Sequence, residues 1–345
     1  GGGIVNINLL EALDAFEKEK GISKDALINI IQKSITSAYK KNYGTKNVEV
    51  LLDKSLTALN VFQIWKITEA VNDPNEEMSL EDALKIDSKA VLGGEIRKKV
   101  NPKKDFNRIA TQTAKQVIMQ NIKELEKNTL FEKYIPLKDK ITNAEVSKVS
   151  PDGADIRIGK LETKLPSKDM IPNETMKQGD LVKVYIKDVQ YTSKGPRIIV
   201  SRTVPEFIKE LLKTIVPEIE EDIVSIVRIY REPGIRTKIA VSSKDPKVDP
   251  VGSCIGENSS RISELINEVK GEKVDIIRYS DDPSEFIKNS LAPAEVLSIT
   301  LNPDKKEATV TVPESQFSLA IGKGGQTARA AAKLTSWKID IHTPA

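Results

Sequence analysis

Hydrophobic positions recur every three or four residues near the amino terminus and then switch to every second residue. From Asn8, the pattern LLEALDAFEKEK sets Leu9, Leu10, Leu13 and Phe16 on one helical face, with Gly21 as the stop. Ser23 can cap a second helix in which Ala26, Leu27, Ile30, Ile31, Ile35 and Ala38 recur at helical spacing, and Gly44 ends it. The period then falls to two. Val48 to Leu52 and Leu59 to Ile67 read as strands, with Asp53-Lys54-Ser55 as the hairpin turn. Ser79-Leu80-Glu81-Asp82 has the form of a capping box before a short helix, and Gly93-Gly94 precedes a strand from Glu95 to Val100. A long helix is predicted from about Lys103 to Tyr134, with Phe106, Ile109, Thr113, Val117 and Ile118 as its apolar stripe. Residues 4–134 are therefore expected to form one α+β domain.

From 135 to 203 the chain reads as short strands with turn punctuation: Asn143 to Val149, Ala154 to Leu165, Leu181 to Val189 and Arg197 to Ser201. Short strands at this spacing fit an OB-type β-barrel of the S1 class, which has five. Alternation points Val182, Val184 and Ile186 inward, so Lys183, Tyr185 and Lys187 are expected outside. A ring between two lysines suits single-stranded RNA, with a base on the ring and phosphates beside the cations. Arg157, Lys164, Arg197 and Arg202 could extend that surface. A lysine-flanked tyrosine is also ordinary strand decoration.

The last two segments, 204–281 and 282–345, are copies of one unit. Each runs helix–strand–strand–helix–helix–strand, the order of a type II KH domain, and Ile255-Gly256 recurs 66 residues on as Ile321-Gly322. In the second copy Gly322-Lys323-Gly324-Gly325 joins two short helices. Gln326, Arg329 and Lys333 follow, and no acid occurs between Gln316 and Lys338. Amides at the start of a helix attract phosphate, and glycines let a sugar-phosphate backbone approach. A GXXG loop clamps about four nucleotides of single-stranded RNA in this way. The first copy has Ile255, Gly256, Glu257, Asn258, Ser259 and Arg261 at the matching place, with an acid inside the loop and no closing glycine. Two roles stay open for it: weaker RNA binding through an apolar groove and base edges, or positioning of its neighbour. No long linker divides the copies, so a rigid double module is expected.

Composition adds little: 53 Lys and Arg stand against 50 Asp and Glu, and the basic residues matter by clustering. The one cysteine, Cys254, excludes an internal disulfide and reads as a buried thiol. The one histidine, His342, cannot supply a histidine metal site or a core triad, so no metal, cofactor or catalytic residue is expected. No apolar run approaches the roughly 20 residues of a membrane span. The expectation is a cytoplasmic monomer without membrane contact, with Gly1-Gly2-Gly3 a cloning remnant. On the long helix, Arg108, Gln112, Lys115 and Met119 share one face, with Arg108 and Lys115 about 10 Å apart. On pattern alone, such a stripe is more often a solvated helix face.

Four segments together resemble the NusA family of bacterial transcription elongation and termination factors. They are Phe106 to Val117 (FNRIATQTAKQV), Val200-Ser201-Arg202 with Pro205-Glu206-Phe207, Arg231 to Lys238 (REPGIRTK), and Leu319 to Gln326 (LAIGKGGQ). The resemblance implies an N-terminal domain bound to core RNA polymerase near its RNA exit channel, followed by S1, KH1 and KH2 holding nascent single-stranded RNA. It also implies that Arg108 and Lys115 face the pause-hairpin RNA, and that other Nus factors are partners in antitermination. The chain ends without the acidic C-terminal repeats of some members, so inhibition by such a tail is not expected. Two other classes remain as alternatives, an RNA-processing protein and a ribosome-associated binder built from the same modules.

Overall fold

The computed structural model describes residues 13–15, 17, 18, 23–53 and 58–345. Leu9, Leu10, Phe16, Gly21 and the Lys54-Ser55 part of the expected turn lie outside the described residues. The chain divides into two compact units, 1–128 and 129–345.

In the first unit, helix α1 (Lys24–Tyr43) begins where the Ser23 side chain accepts the Ala26 N–H. It ends at Gly44, whose left-handed φ of 64° lets its N–H reach the Lys40 carbonyl. Leu27, Ile31, Ile35 and Tyr39 form its buried stripe, whereas Ala26 and Ile30 face solvent. The stripe covers a sheet of β1 (Val48–Leu52), β2 (Leu59–Thr68), β3 (Glu77–Ser79) and β4 (Glu95–Val100), in which β2 pairs with the other three. The short helix α2 (Leu80–Ile86) starts at the expected cap, Ser79 accepting the Asp82 N–H. The long helix α3 (Phe106–Tyr134) buries Phe106, Ala110, Ala114 and Ile118 completely, a strict four-residue row. Ile109, Thr113 and Val117, expected in the stripe, are only half-buried beside it. Small alanines let the helix close on the core, and the larger side chains flank the contact.

In the second unit, five antiparallel strands follow the order β7-β6-β5-β8-β9: β5 (Ile141–Ser150), β6 (Gly153–Ile158), β7 (Leu161–Pro166), β8 (Leu181–Thr192) and β9 (Gly195–Ser201). Thr163 Oγ1 on β7 donates to the Ile198 carbonyl on β9 at 2.6 Å, so the two ends of the sheet meet as a barrel. Gly159 divides the stretch read as one run into β6 and β7. A Cβ there would come within 2.4 Å of the Tyr134 hydroxyl, which is bonded to the Ile158 carbonyl and the Lys160 N–H.

The two copies follow. The first contains α4 (Pro205–Ile215), a four-residue α5 (Pro217–Glu220), β10 (Val224–Glu232), β11 (Arg236–Ser243), α6 (Pro250–Ile255), α7 (Ser260–Val269) and β12 (Lys273–Arg278). The second contains α8 (Pro283–Ser290), β13 (Ser298–Asn302), β14 (Glu307–Thr311), α9 (Phe317–Ile321), α10 (Gln326–Thr335) and β15 (Lys338–His342). In each, the middle strand pairs antiparallel with the strand before it and parallel with the last. β13 starts at Ser298 rather than Ala294, because Ala294 is packed into the core with its N–H on the Leu291 carbonyl.

Charge is buried where these modules join. Arg202 has no exposed side-chain surface. It contacts Glu174 at 2.7 Å, Glu268 Oε1 and the Glu268 carbonyl at 3.1 Å each, and the Lys183 carbonyl. Arg231 pairs with buried Glu272 and reaches the Val204 carbonyl; Glu272 also accepts from Gly234 N–H and Thr237 Oγ1. The two guanidinium groups lie 5.1 and 5.6 Å from the Phe207 ring. Between the copies, Ala240, Ile277, Phe286 and Leu334 form a shared apolar cluster, and Lys238 Nζ joins Asp275 at 2.9 Å to the Ala292 carbonyl at 3.4 Å. Burial lowers the Lys238 ammonium, and Asp275 works against that.

Candidate nucleic-acid interface

The turn between α9 and α10 is built by three glycines with positive φ. Gly322 has φ 77° and ψ 167°, Gly324 φ 61° and ψ 22°, and Gly325 φ 75° and ψ 11°. They are not equivalent. A Cβ on Gly322 would lie 2.4 Å from Thr327 Oγ1 and 2.8 Å from Thr327 N, so packing forbids a side chain. A Cβ on Gly324 or Gly325 would meet nothing within 4 Å. That face of the turn is open to an incoming chain. The Gly325 N–H is bonded to the Gly322 carbonyl at 3.0 Å, and the Gln326 N–H to the Lys323 carbonyl. Those two amides hold the turn itself. Lys323 and Lys333 are exposed, whereas Gln326, expected at the contact surface, is buried with Thr327 beneath the turn. Arg329 is exposed but engaged: it grips Glu232 of β10 and donates from Nη1 to the Gly324 carbonyl at 3.2 Å.

The first copy reproduces the turn without its last two glycines. Gly256 has φ 77° and ψ 170°, Asn258 φ 54° and ψ 34°, Ser259 φ 59° and ψ 23°, and Ser259 N–H closes on the Gly256 carbonyl. Asn tolerates the left-handed region best among residues with a Cβ, and holding non-glycine residues there costs of order 1–3 kcal/mol each. Backbone shape is thus kept, but two side chains stand where the second copy is open, and exposed Glu257 replaces Lys323. Arg261 is not offered to a ligand. Its guanidinium is held by Glu218 at 2.8 Å and the Ser253 carbonyl at 2.6 Å, and its stem would meet a Cβ on Gly256 at 2.7 Å. Ile255 is half-buried.

Comparison with known proteins agrees with this architecture segment by segment. The NusA N-terminal domain model matches residues 8–128, the S1 RNA binding domain 135–202, the NusA-like first KH domain 202–279 and the NusA-like second KH domain 283–345. The transcription termination/antitermination protein NusA of Bacillus subtilis (strain 168) is 44% identical over 334 residues, covering 96% of this chain and 90% of that protein. The chain belongs to the NusA family. The protein of the same name from Halalkalibacterium halodurans is 41% identical over 338 residues, covering 98% of this chain and 88% of its own length. A solution structure of the N-terminal domain of NusA from B. subtilis is 41% identical, covering 35% of this chain and 97% of that one, with a TM-score of 0.31.

Within this NusA-type array the S1 barrel departs most from expectation. Tyr185 does point away from the barrel core, as alternation requires, but α4 of the first KH domain packs over it. It is buried among Ile171, Phe207 and Ile208, with Oη donating to Asp139 Oδ1 at 3.0 Å. Burial, then the Asp139 carboxylate, pushes the phenol well above its usual range. Arg202, expected at the RNA surface, is buried in the ion cluster described above. Arg157 is paired with Glu145 at 3.0 Å. Lys164 is paired with Asp152, whose carboxyl that contact and the Ser150 hydroxyl hold at about 2. Lys187 and Arg197 are exposed and Lys183 is half-buried. The barrel therefore lacks the stacking ring read from its sequence and meets the first KH domain through that face.

In the NusA N-terminal domain, Arg108, Gln112, Lys115 and Met119 all lie exposed on α3. Arg97, Lys98, Lys99, Lys103 and Lys104 are exposed on β4 and the loop after it, with Arg97 paired to Glu49. Sequence reading passed over these residues, although their density was a usable signal. It also passed over Glu232, whose role appears only when β10 is laid against α10.

Proposed function

We propose that this NusA-family chain binds RNA polymerase through its N-terminal unit and emerging single-stranded RNA through its KH domains. In doing so it alters pausing, termination and antitermination. The GKGG turn carries the reading: packing requires its first glycine, its last two face open space, and its lysine is exposed. A phosphate approaching there meets the Lys323 and Gly324 amides and the Lys323 ammonium, with Lys333 about two turns into α10. The first KH turn keeps the shape with the opposite charge, which favours positioning over clamping. Exposed Arg108 and Lys115, with the basic residues of β4, suit the phosphates of a folded transcript.

Fluorescence titration of a short RNA tests the clamp. If about four phosphates are neutralised, log K should fall with log salt at a slope near −3 for a single strand. Gly324→Asp with Gly325→Asp should flatten that slope and remove most of the affinity. A flat response in the unaltered protein would end the phosphate-clamp reading. Retention of core polymerase, rather than ribosomal subunits, on the immobilised chain tests the other half.

A further inference from the structure

Strand β10 of the first KH domain lies along helix α10 of the second, and three alternate residues of the strand meet it. At the carboxyl end of the helix, Arg228 Nη1 donates to the Leu334 and Thr335 carbonyls at 3.4 and 3.2 Å. In the middle, Tyr230 packs in the cluster that holds Leu334, and its hydroxyl donates to Glu232 Oε1 at 3.0 Å. Toward the amino end, the Glu232 carboxylate takes Arg329 bidentately, Nε to Oε1 and Nη2 to Oε2, the latter at 2.7 Å. Arg329 Nη1 spans on to the Gly324 carbonyl inside the turn. The Glu232 side chain is 16% exposed and Arg329 is 44% exposed. One guanidinium thus links a carboxylate of the first KH domain to the phosphate turn of the second.

We propose that Glu232 sets the affinity of the GKGG turn for RNA phosphate by acting as the resident counter-charge of Arg329. The inference rests on the reading of that turn as a phosphate clamp. A guanidinium offers five N–H donors, and Glu232 and Gly324 engage three of them. A phosphate arriving at the turn therefore meets an arginine already neutralised and a carboxylate of its own sign. Glu232 belongs to a different domain from the turn, so the docking of the two KH domains determines how strongly the second one binds.

The alternative role for the pair is simple docking of one domain on the other, and the salt dependence separates the two. The full chain is titrated into a fluorescein-labelled single-stranded RNA of about twelve mixed nucleotides, at salt from about 50 to 300 mM. Glu232→Gln keeps the size of the side chain and an acceptor for Tyr230 but removes the charge. It should bind roughly three- to tenfold more tightly at low salt, with a slope steeper by about 0.7, because one more cation is free to meet phosphate. Arg329→Gln should change the affinity of the unaltered protein less than about twofold, yet cancel the whole gain of Glu232→Gln when the two are combined. Equal or weaker binding by Glu232→Gln with an unchanged slope would overturn the proposal. So would a tenfold loss from Arg329→Gln alone, a result that stands even if the glutamate variant does not fold. Gly325→Asp is measured alongside. If it binds like the unaltered protein, the clamp reading fails and takes the proposal with it; a loss of binding there upholds the clamp, and the two Glu232 and Arg329 variants then decide the counter-charge role by themselves.

Discussion

Arg202→Ala separates a structural arginine from an RNA-binding one. The side chain is wholly buried, with Nε and Nη2 on Glu174 Oε1 at 2.9 and 2.7 Å, and Nη1 and Nη2 on Glu268 and backbone carbonyls. Truncation would leave the Glu174 side chain, also without exposed surface, with the Ile171 N–H at 2.8 Å and the Lys270 ammonium at 3.9 Å. Removing one partner of a buried ion pair costs about 3–5 kcal/mol, because the other charge stays behind unpaired. At about 2–4 °C per kcal/mol for a unit of this size, Tm should fall by roughly 6–20 °C. The solvent-exposed Arg157–Glu145 pair provides the control: Arg157→Ala should cost about 1 kcal/mol or less. Both are read by thermal melts of the full chain, with RNA titrations run well below the melt. The salt slope of Arg202→Ala should match that of the unaltered protein. An unchanged Tm with a flatter slope would put the guanidinium on the RNA face and refute the account of the S1–KH1 junction.

Three further outcomes follow from the geometry. Gly322→Ala should destabilise the second KH domain by about 2–4 kcal/mol, from overpacking against Thr327 and left-handed strain; Gly325→Ala should cost about 1 kcal/mol and act mainly on RNA binding, as melts and titrations would show. Cys254 is fully buried, and burial pushes its thiol up to about 12, so at pH 8 a thiol reagent should label it only as the domain opens. The Arg329 hydrogen bond, followed by that of Tyr230, outweighs burial and holds the Glu232 carboxyl below its ordinary 4.5. A depressed carboxylate contributes stability that is full above its unfolded pKa and lost as pH falls through the folded value. The Tm difference between unaltered protein and Arg329→Gln should therefore hold constant down to about pH 5 and shrink only below 4.5.

Local pattern carried the element order and the repeat. Ser23, Gly44, Ser79 and the two Ile-Gly turns mark where helices start and stop, because caps and turns act over a few residues. Along β8 it also gave the face of each side chain, and Tyr185 is on the predicted side. What covers that side is a helix twenty residues further on, which alternation cannot reveal. Arg202 is not a surface residue, and exposed Arg329 is not a free cation, for the same reason. Their carboxylates lie 66 and 97 residues away in sequence, so only the packed domains bring them together. The GENS loop is a different case. Its sequence left two roles open, and the structure adds that Asn258 and Ser259 hold the same left-handed backbone as the glycines of the second copy, so what changes is the charge and the open space.

Site-specific crosslinking in a paused transcription complex tests the central claim most directly. A photoreactive group placed at Lys323 should join to emerging single-stranded RNA, and one at Lys115 should join to polymerase or to the folded transcript beside it. Crosslinks from Lys323 that reach only protein, together with none from Lys115 to either target, would contradict the account.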